Sequence, residues 1–328
     1  MKIWYDACTG KHVRYGVAIA QRLRASGLEV VLTTRKHPDT IGLLESLGES
    51  FKIVGKYSPT SQCSRLKESL KRQLAFCEMF ENESPDLAMS HGSVELCRVA
   101  FGLGIPTIST AEAPHAIAAN KLAVPLVDYL VVSKAIPPRE YVRFGAEKIV
   151  QFDGVDEVAW VKGYKPNTRK YEKPLIVVRQ METKASYAED KLDVTEQLAK
   201  KLVSLGKVMF IPRYDRRPRP DLIIPQEFID SVSLSANADL VVSVGGTISR
   251  EAALQGTPSI VIDTFGKSYV NDYLSDRGFP LSTVEPNQVL QLARKYLGQK
   301  RDVRERLEEL ENPVDLVEEI IQTELDLK

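Results

Sequence analysis

The sequence predicts an α/β protein made of two consecutive Rossmann-like, doubly wound domains facing a cleft. Three observations lead there. The chain has 328 residues, more than one ordinary core accommodates. Short apolar runs alternate with helical patterns through both halves, and the alternation lapses near the middle. Strands alternating with helices imply βαβ units and parallel sheets covered on both faces. Two such sheets facing each other bring their carboxyl ends, beyond which ligands of this architecture bind, to one cleft.

In the first half, strands are expected at Ile3–Asp6, Glu29–Thr33, Phe51–Val54, Leu87–Ser90, Thr107–Ser109 and Tyr129–Val132. Val13, Val17, Ala20 and Leu23 recur at helical spacing after the first strand, with Gly27 placed to end that helix. Leu66, Leu70 and Leu74 mark another helix. Core packing is the expectation for this leucine stripe. With Lys67, Lys71 and Arg72 beside it, the alternative is a membrane surface carrying a lipid acceptor.

Gly154, Gly163, Pro166, Asn167 and Pro174 cluster where the pattern lapses. Residues 1–155 therefore read as the first domain, 156–173 as a linker and 174–300 as the second domain. Residues 301–328 read as charged C-terminal helices that can pack back on the first domain. Second-domain strands are expected at Leu175–Val178, Val208–Ile211, Leu240–Val244 and Ser259–Ile262.

Composition narrows the function. Forty-four basic residues balance forty-four acidic ones, so no long-range field draws the chain onto nucleic acid. Hydrophobic content of 43% and charged content of 27% belong to a globular chain. The N-terminus runs directly into a strand without a secretory h-region. The longest apolar stretch, Leu122 to Ser133, is broken by Pro125 and Asp128 and is too short to span a bilayer. Cys8, Cys63, Cys77 and Cys97 are widely spaced, which suits reduced thiols in a cytoplasm. A cytoplasmic protein with neither a nucleic-acid partner nor a transmembrane segment is expected.

The strongest motif runs from Asp239 to Leu254: an apolar strand, a turn at Gly245-Gly246-Thr247, and a helix carrying Ser249, Arg250 and Glu251. Paired glycines permit φ > 0 and a close backbone approach. The unpaired N–H groups and dipole of a new helix favour an anion there. Thr247 and Ser249 add hydroxyl donors, and Glu251 lies where a carboxylate accepts hydrogen bonds from a ribose. A capped strand-to-helix turn is the structural alternative. After the first strand, Ala7-Cys8-Thr9-Gly10-Lys11-His12 matches neither the dinucleotide fingerprint nor a P-loop.

The run from Ser243 through Gly245, Gly246, Thr247, Ser249, Arg250, Glu251 and Gly256 to Pro258 resembles the nucleotide-binding segment of GT-B proteins. Those include the peptidoglycan N-acetylglucosaminyltransferase and the non-hydrolysing UDP-N-acetylglucosamine 2-epimerase. Over most of its length the chain more closely resembles an archaeal family of uncharacterised GT-B-like proteins. Asp6 and His12, Pro85-Asp86 with His91-Gly92-Ser93, and the stretch from Asn120 to Pro125 carry that likeness. The resemblance implies that the diphosphate rests on Gly245, Gly246 and Thr247 and that Glu251 holds the ribose. Asn271 matches a position near the donor sugar in relatives, although Ser268 stands where a glutamine is common. Arg179 stands where the epimerases place a phosphate-binding arginine.

His12 is the expected general base, since an unperturbed imidazole titrates near neutral pH. His91 follows the strand ending at Ser90, and Glu112 and His115 follow the one ending at Ser109; each is a further acid–base candidate. The arginines of the loop from Pro212 to Pro220 read as a solvated loop, with a phosphate clamp as the alternative. No histidine or aspartate spacing suggests a metal, and no cofactor is expected. The expected function is a glycosyltransferase that takes a nucleotide-sugar donor, UDP-linked, and an unidentified acceptor. The alternatives are a nucleotide-sugar 2-epimerase and a non-catalytic nucleotide-sugar-binding protein.

Overall fold

The computed structural model describes residues 1–58, 60–167, 169–184, 188, 191–264, 266 and 268–323. The chain divides into two compact units, Met1–Trp160 with Glu311–Lys328, and Val161–Leu310.

The first unit contains β1 (Lys2–Ala7), α1 (Gly10–Ala25), β2 (Glu29–Lys36), α2 (Pro38–Leu47), β3 (Lys52–Lys56), α3 (Gln62–Met79) and β4 (Leu87–Ser90). It continues with α4 (Val94–Leu103), β5 (Thr107–Ala111), α5 (Ile117–Ala123), β6 (Tyr129–Ser133), α6 (Arg139–Val142), β7 (Ile149–Phe152) and α7 (Val158–Val161). The seven strands are parallel in the order β3-β2-β1-β4-β5-β6-β7. Strand order reverses between β1 and β4, and a crevice beyond the carboxyl ends opens at such a point.

The second unit holds β8 (Leu175–Arg179), α8 (Thr195–Leu202), β9 (Lys207–Ile211), α9 (Ser231–Asn237), β10 (Leu240–Ser243) and α10 (Gly246–Leu254). Next come β11 (Ser259–Ile262), α11 (Tyr269–Asp276), β12 (Leu281–Val284), α12 (Val289–Tyr296) and α13 (Arg304–Glu309). Its five strands are parallel in the order β12-β11-β10-β8-β9. The central strands are apolar on both faces because both are covered. Ile176 and Val178 join Leu198, Leu202 and Val289, while Leu175 and Val177 join Leu234, Ile248 and Ala252.

The last helix, α14 (Pro313–Thr323), belongs to the first unit. Val314, Val317, Ile320 and Ile321 enter the core formed by α1, α2 and β1. Arg22 ties it down through Asp315 at 2.6 Å and Glu318 at 3.0 Å.

The leucine stripe is a correction. Leu66, Leu70 and Leu74 are exposed, whereas Arg72, Phe76 and Phe80 are buried. Two residues of α-helix turn the chain by about 200°, so a stripe two positions on lies on the opposite side. α3 buries that other side because Arg72 pairs with Asp6, Nη2 to Oδ1 at 2.5 Å, and Trp4 packs on Phe76 and Phe80. Asp6 is completely buried, and burial alone would raise its pKa. The Arg72 charge and hydrogen bonds from Arg72, Ser93 and Thr33 outweigh burial and hold it below the usual carboxylate value.

Candidate functional site

In the first unit, charged groups gather beyond the carboxyl ends of β1, β4, β5 and β7. Thr9 caps α1 by accepting the His12 amide, which sets Lys11 and His12 in the helix's first turn. The Lys11 ammonium bridges three carboxylates: Glu112, Asp156 at 2.9 Å and Glu157 at 3.4 Å. Asp156 and Glu157 follow β7 and are buried. Their turn is clamped: Glu311 donates its backbone N–H to the Asp153 carbonyl at 2.9 Å. Gly154 admits this contact, because a Cβ there would lie 2.4 Å from the Glu311 carbonyl oxygen. Ser133 holds the same turn through its hydroxyl, which donates to the Gly154 carbonyl at 2.5 Å.

His91 completes the cluster. Its Nδ1 lies 2.6 Å from the Thr110 hydroxyl and its Nε2 lies 3.8 Å from Asp156. The buried Asp6 fixes the chain just beyond it, accepting the Ser93 hydroxyl at 2.5 Å, while Ser93 caps α4. The His12 ring meets the His91 ring edge-on, centroids 4.8 Å apart.

Burial and neighbouring charges set the acid–base candidates apart. Burial pushes His12 down to about 3, and the positive charges of Lys11 and Arg35 push the same way. A neutral imidazole with so low a pKa is a weak base, which counts against the expected role of His12 as general base. Burial raises Asp156 to about 7; Glu112 and Glu157 add to this against the opposing pull of Lys11. Asp156 therefore has the proton affinity expected of a group that exchanges protons near neutrality. Glu112 is half-buried on Lys11, while His115 is exposed, its pKa lowered by burial of the ring with Glu112 opposing.

His91, Glu112 and Asp156 each bring a ligand-type atom within 4.8 Å of the others, a grouping absent from the sequence reading, which expected no metal. The Lys11 ammonium contacts two of the three, Glu112 and Asp156.

In the second unit, the glycine turn differs from expectation in its backbone. Gly245, the N-cap of α10, is extended (φ −94°, ψ 158°), Gly246 begins the helix, and neither has positive φ. Gly246 is small for another reason: a Cβ there would fall 1.8 Å from Nη1 of Arg250. The buried Arg250 side chain curls back along the first turn and donates to Asn271 Oδ1 at 3.2 Å. No side chain caps α10, and Gly245 is exposed. The start of α10 thus combines uncapped amides, the positive helix end and a guanidinium, which together suit an anion.

The remaining second-unit candidates divide. Gly245, Gly246 and Thr247 reach the surface, Gly246 and Thr247 partly, and Asn271 meets Arg250. Ser249 does not reach it; its hydroxyl is buried 2.8 Å from that of Ser243. Glu251 is completely buried and offers no surface to a ribose in this conformation. Arg179 ends β8 in register with Ser243, and its guanidinium donates to the Pro212 carbonyl at 3.4 Å. Within the arginine-rich loop, Arg219 pairs with Glu196 at 2.9 Å, Arg213 with Glu182 at 3.6 Å and Arg217 with Asp215 at 2.5 Å.

Sequence reasoning missed Lys11, Asp156, Glu157 and Arg250. The two acids sat in the presumed linker. Arg250 did carry a signal, as an arginine one helical turn after a helix-initial glycine.

A family model described as protein of unknown function (DUF354) matches residues 1–326. The chain belongs to this family. The DUF354 chain is 30% identical over 340 residues to the uncharacterized protein MJ0665 of the archaeon Methanocaldococcus jannaschii, covering 97% of this chain and 96% of that one. Its fold is similar to that of the M. jannaschii UDP-GlcNAc 2-epimerase in complex with UDP-GlcNAc and UDP. That similarity has a TM-score of 0.70 at 14% identity, over 98% of this chain and 99% of the other. It is also similar to the glycosyltransferase SnogD from Streptomyces nogalater, with a TM-score of 0.57 at 16% identity over 98% and 99% of the two chains. Each unit is thus a Rossmann-like α/β unit with a parallel sheet, and the fold is like that of these GT-B proteins, as the sequence resemblance implied. Among the described residues of the DUF354 chain, no helix is long and apolar enough to cross a membrane.

Proposed function

We propose that the protein is a metal-independent glycosyltransferase acting on a UDP-linked sugar. The observation that carries this reading is the start of α10, where uncapped amides and the Arg250 guanidinium meet at one point. The donor diphosphate rests there on Gly245, Gly246 and Thr247, with Arg179 as a further phosphate contact and Asn271 near the sugar. These donors stabilise the charge that develops on the leaving diphosphate without an ion. In the first unit, the Asp156–Glu112 pair on Lys11 takes the proton of an acceptor hydroxyl as its oxygen attacks the anomeric carbon. The bond to the diphosphate breaks and its electron pair leaves with UDP. The fold shared with a UDP-GlcNAc epimerase and a glycosyltransferase supports the class of ligand.

One observation favours a second reading. Glu112 and Asp156 share one lysine, and Asp156 titrates near neutrality, so one carboxyl can hold a proton while the other is charged. Such a pair supplies both acid and base for epimerisation of the donor sugar. Incubation of UDP-GlcNAc with the protein alone, followed by chromatography, tests both. Appearance of a sugar isomer supports epimerisation. Free UDP that accumulates only with an added acceptor supports transfer. Absence of binding to any nucleotide sugar in a thermal-shift screen defeats both, since ligand at a hundred times Kd stabilises a fold by about 2.7 kcal/mol.

A further inference from the structure

The two ring nitrogens of His91 face different chemistry. Nδ1 lies 2.6 Å from the Thr110 hydroxyl, and Nε2 lies 3.8 Å from the Asp156 carboxylate. The ring is buried and wedged, with the His12 ring edge-on at 4.8 Å and the Tyr15 ring tilted at 5.8 Å. A neutral imidazole carries one N–H, and the partner of one nitrogen decides which of the two bears it.

Tyr15 sets the direction of the hydrogen bonds. Its hydroxyl is completely buried, has the Thr110 side chain as a hydrogen-bonding neighbour, and reaches no other partner among the described residues. Burial and the charges of Asp156 and Glu157 raise its pKa well above the ordinary tyrosine value, so the phenol keeps its proton. Leaving a buried O–H unpaired is costly, so that proton is directed at Thr110 Oγ1. Thr110 then places its own proton on Nδ1 of His91. The imidazole proton is left on Nε2, on the side of Asp156.

We propose that His91 is a positioning residue for Asp156, locked by Thr110 in the tautomer whose Nε2–H faces the carboxylate. Its role presupposes that Asp156 takes the acceptor proton, as in the reaction proposed above. At 3.8 Å the contact is electrostatic rather than a hydrogen bond. It favours the ionised carboxylate, as Lys11 does, whereas burial and the charges of Glu112 and Glu157 oppose ionisation. Tyr5 on β1, Tyr15 on α1 and Tyr141 on α6 also lie in the field of Asp156. Burial raises all three well above the usual tyrosine value, so they stay neutral while Asp156 titrates. In this tautomer Nε2 already bears a proton and Nδ1 is engaged by Thr110, so His91 works through Asp156 and not on the substrate.

Nitrogen-15 NMR of the histidine-labelled protein reads the tautomer directly. The chain has four histidines, and the His91 ring is assigned by its loss in His91→Gln. At pH 8 the parent should carry its proton on Nε2, with Nδ1 accepting a hydrogen bond. Carboxyl carbon-13 NMR then follows the titration of Asp156, assigned by its loss in Asp156→Asn. His91→Gln, whose amide N–H reaches the place of Nε2–H, should leave the midpoint near that of the parent. His91→Leu removes the donor at similar volume and should raise the midpoint by roughly half a unit. A proton on Nδ1 or a doubly protonated ring at pH 8 overturns the proposal. So does an equal midpoint in the two variants, which would mean that the ring only fills space. Circular dichroism checks the fold of each variant, and the tautomer of the parent decides by itself should one of them unfold. Neither readout needs turnover, so a failure to bind nucleotide sugars would defeat the proposed function and leave this result standing.

Discussion

The Lys11 ammonium lies 2.9 Å from the Asp156 carboxylate, joining the first turn of the first helix to the turn after the last strand of the same sheet. Glu112 and Glu157 reach the same lysine, so its ammonium meets three buried or half-buried acids. Lys11→Met should therefore destabilise the first unit by about 3–5 kcal/mol at pH 8, as breaking one side of a buried pair does. At pH 5 the loss should be smaller, because carboxylates deprived of their cation bind protons more readily and then need no partner. Denaturant titrations at the two pH values check this; equal losses would mean that the ion pairs contribute little.

Asp156→Asn should stabilise the fold in alkaline buffer while lowering turnover. Its folded pKa is about 7, above the 3.8 of a free side chain, so between these values the native state binds more protons than the unfolded one. Stability from this group consequently falls as pH rises from about 4 to about 7, and asparagine, which mimics the protonated form, escapes the fall. The melting temperature of the variant relative to the parent should climb across that window and level off above it. A constant difference from pH 4 to pH 8 would show that Asp156 is ionised throughout.

Activity should survive chelation. His91, Glu112 and Asp156 come close enough to invite a cation, but Lys11 already bonds Glu112 and Asp156. Turnover measured after EDTA dialysis should match the untreated protein. Loss that only added Mg²⁺ or Mn²⁺ restores would show that the lysine yields its place to a metal.

Arg250→Gln should weaken UDP and inorganic pyrophosphate alike, by about ten- to hundredfold, the loss expected for a hydrogen bond to a charged group. Glu251→Ala tests the ribose role that the resemblance implied: with Glu251 completely buried, the variant should not weaken UDP more than pyrophosphate, and selective weakening of UDP would show that the glutamate reaches a ribose. Weakening of both by Glu251→Ala would point instead to disruption of the buried surroundings of Arg250.

Legibility in the sequence followed local signal. β1, β4 and β10 were readable because their side chains are buried on both faces and form continuous apolar runs. β7 and β12 were not: both are edge strands, half-exposed over most of their length and partly polar, so no apolar run announces them. The α3 stripe misled for a different reason. Helical spacing of Leu66, Leu70 and Leu74 shows that they share a face but not that the face is inward, and the Asp6–Arg72 pair that turns α3 the other way spans 66 residues. Asp156 could not be singled out because its chemistry comes from Lys11, 145 positions earlier, and from burial, neither of which has a local pattern. Gly246 was read as a turn glycine, whereas the contact with Arg250 is what requires it.

The most direct measurement is a calorimetric titration of UDP into the parent and Gly246→Val, with circular dichroism and melting to confirm that the variant folds. A valine at this position would drive Arg250 off Asn271 and crowd the uncapped amides at the start of α10. The parent should bind at one site, and the folded variant should show no heat of binding at concentrations that saturate the parent. Equal affinity in a folded variant would contradict the assignment of α10 as the diphosphate site and remove the main support for a nucleotide-sugar enzyme.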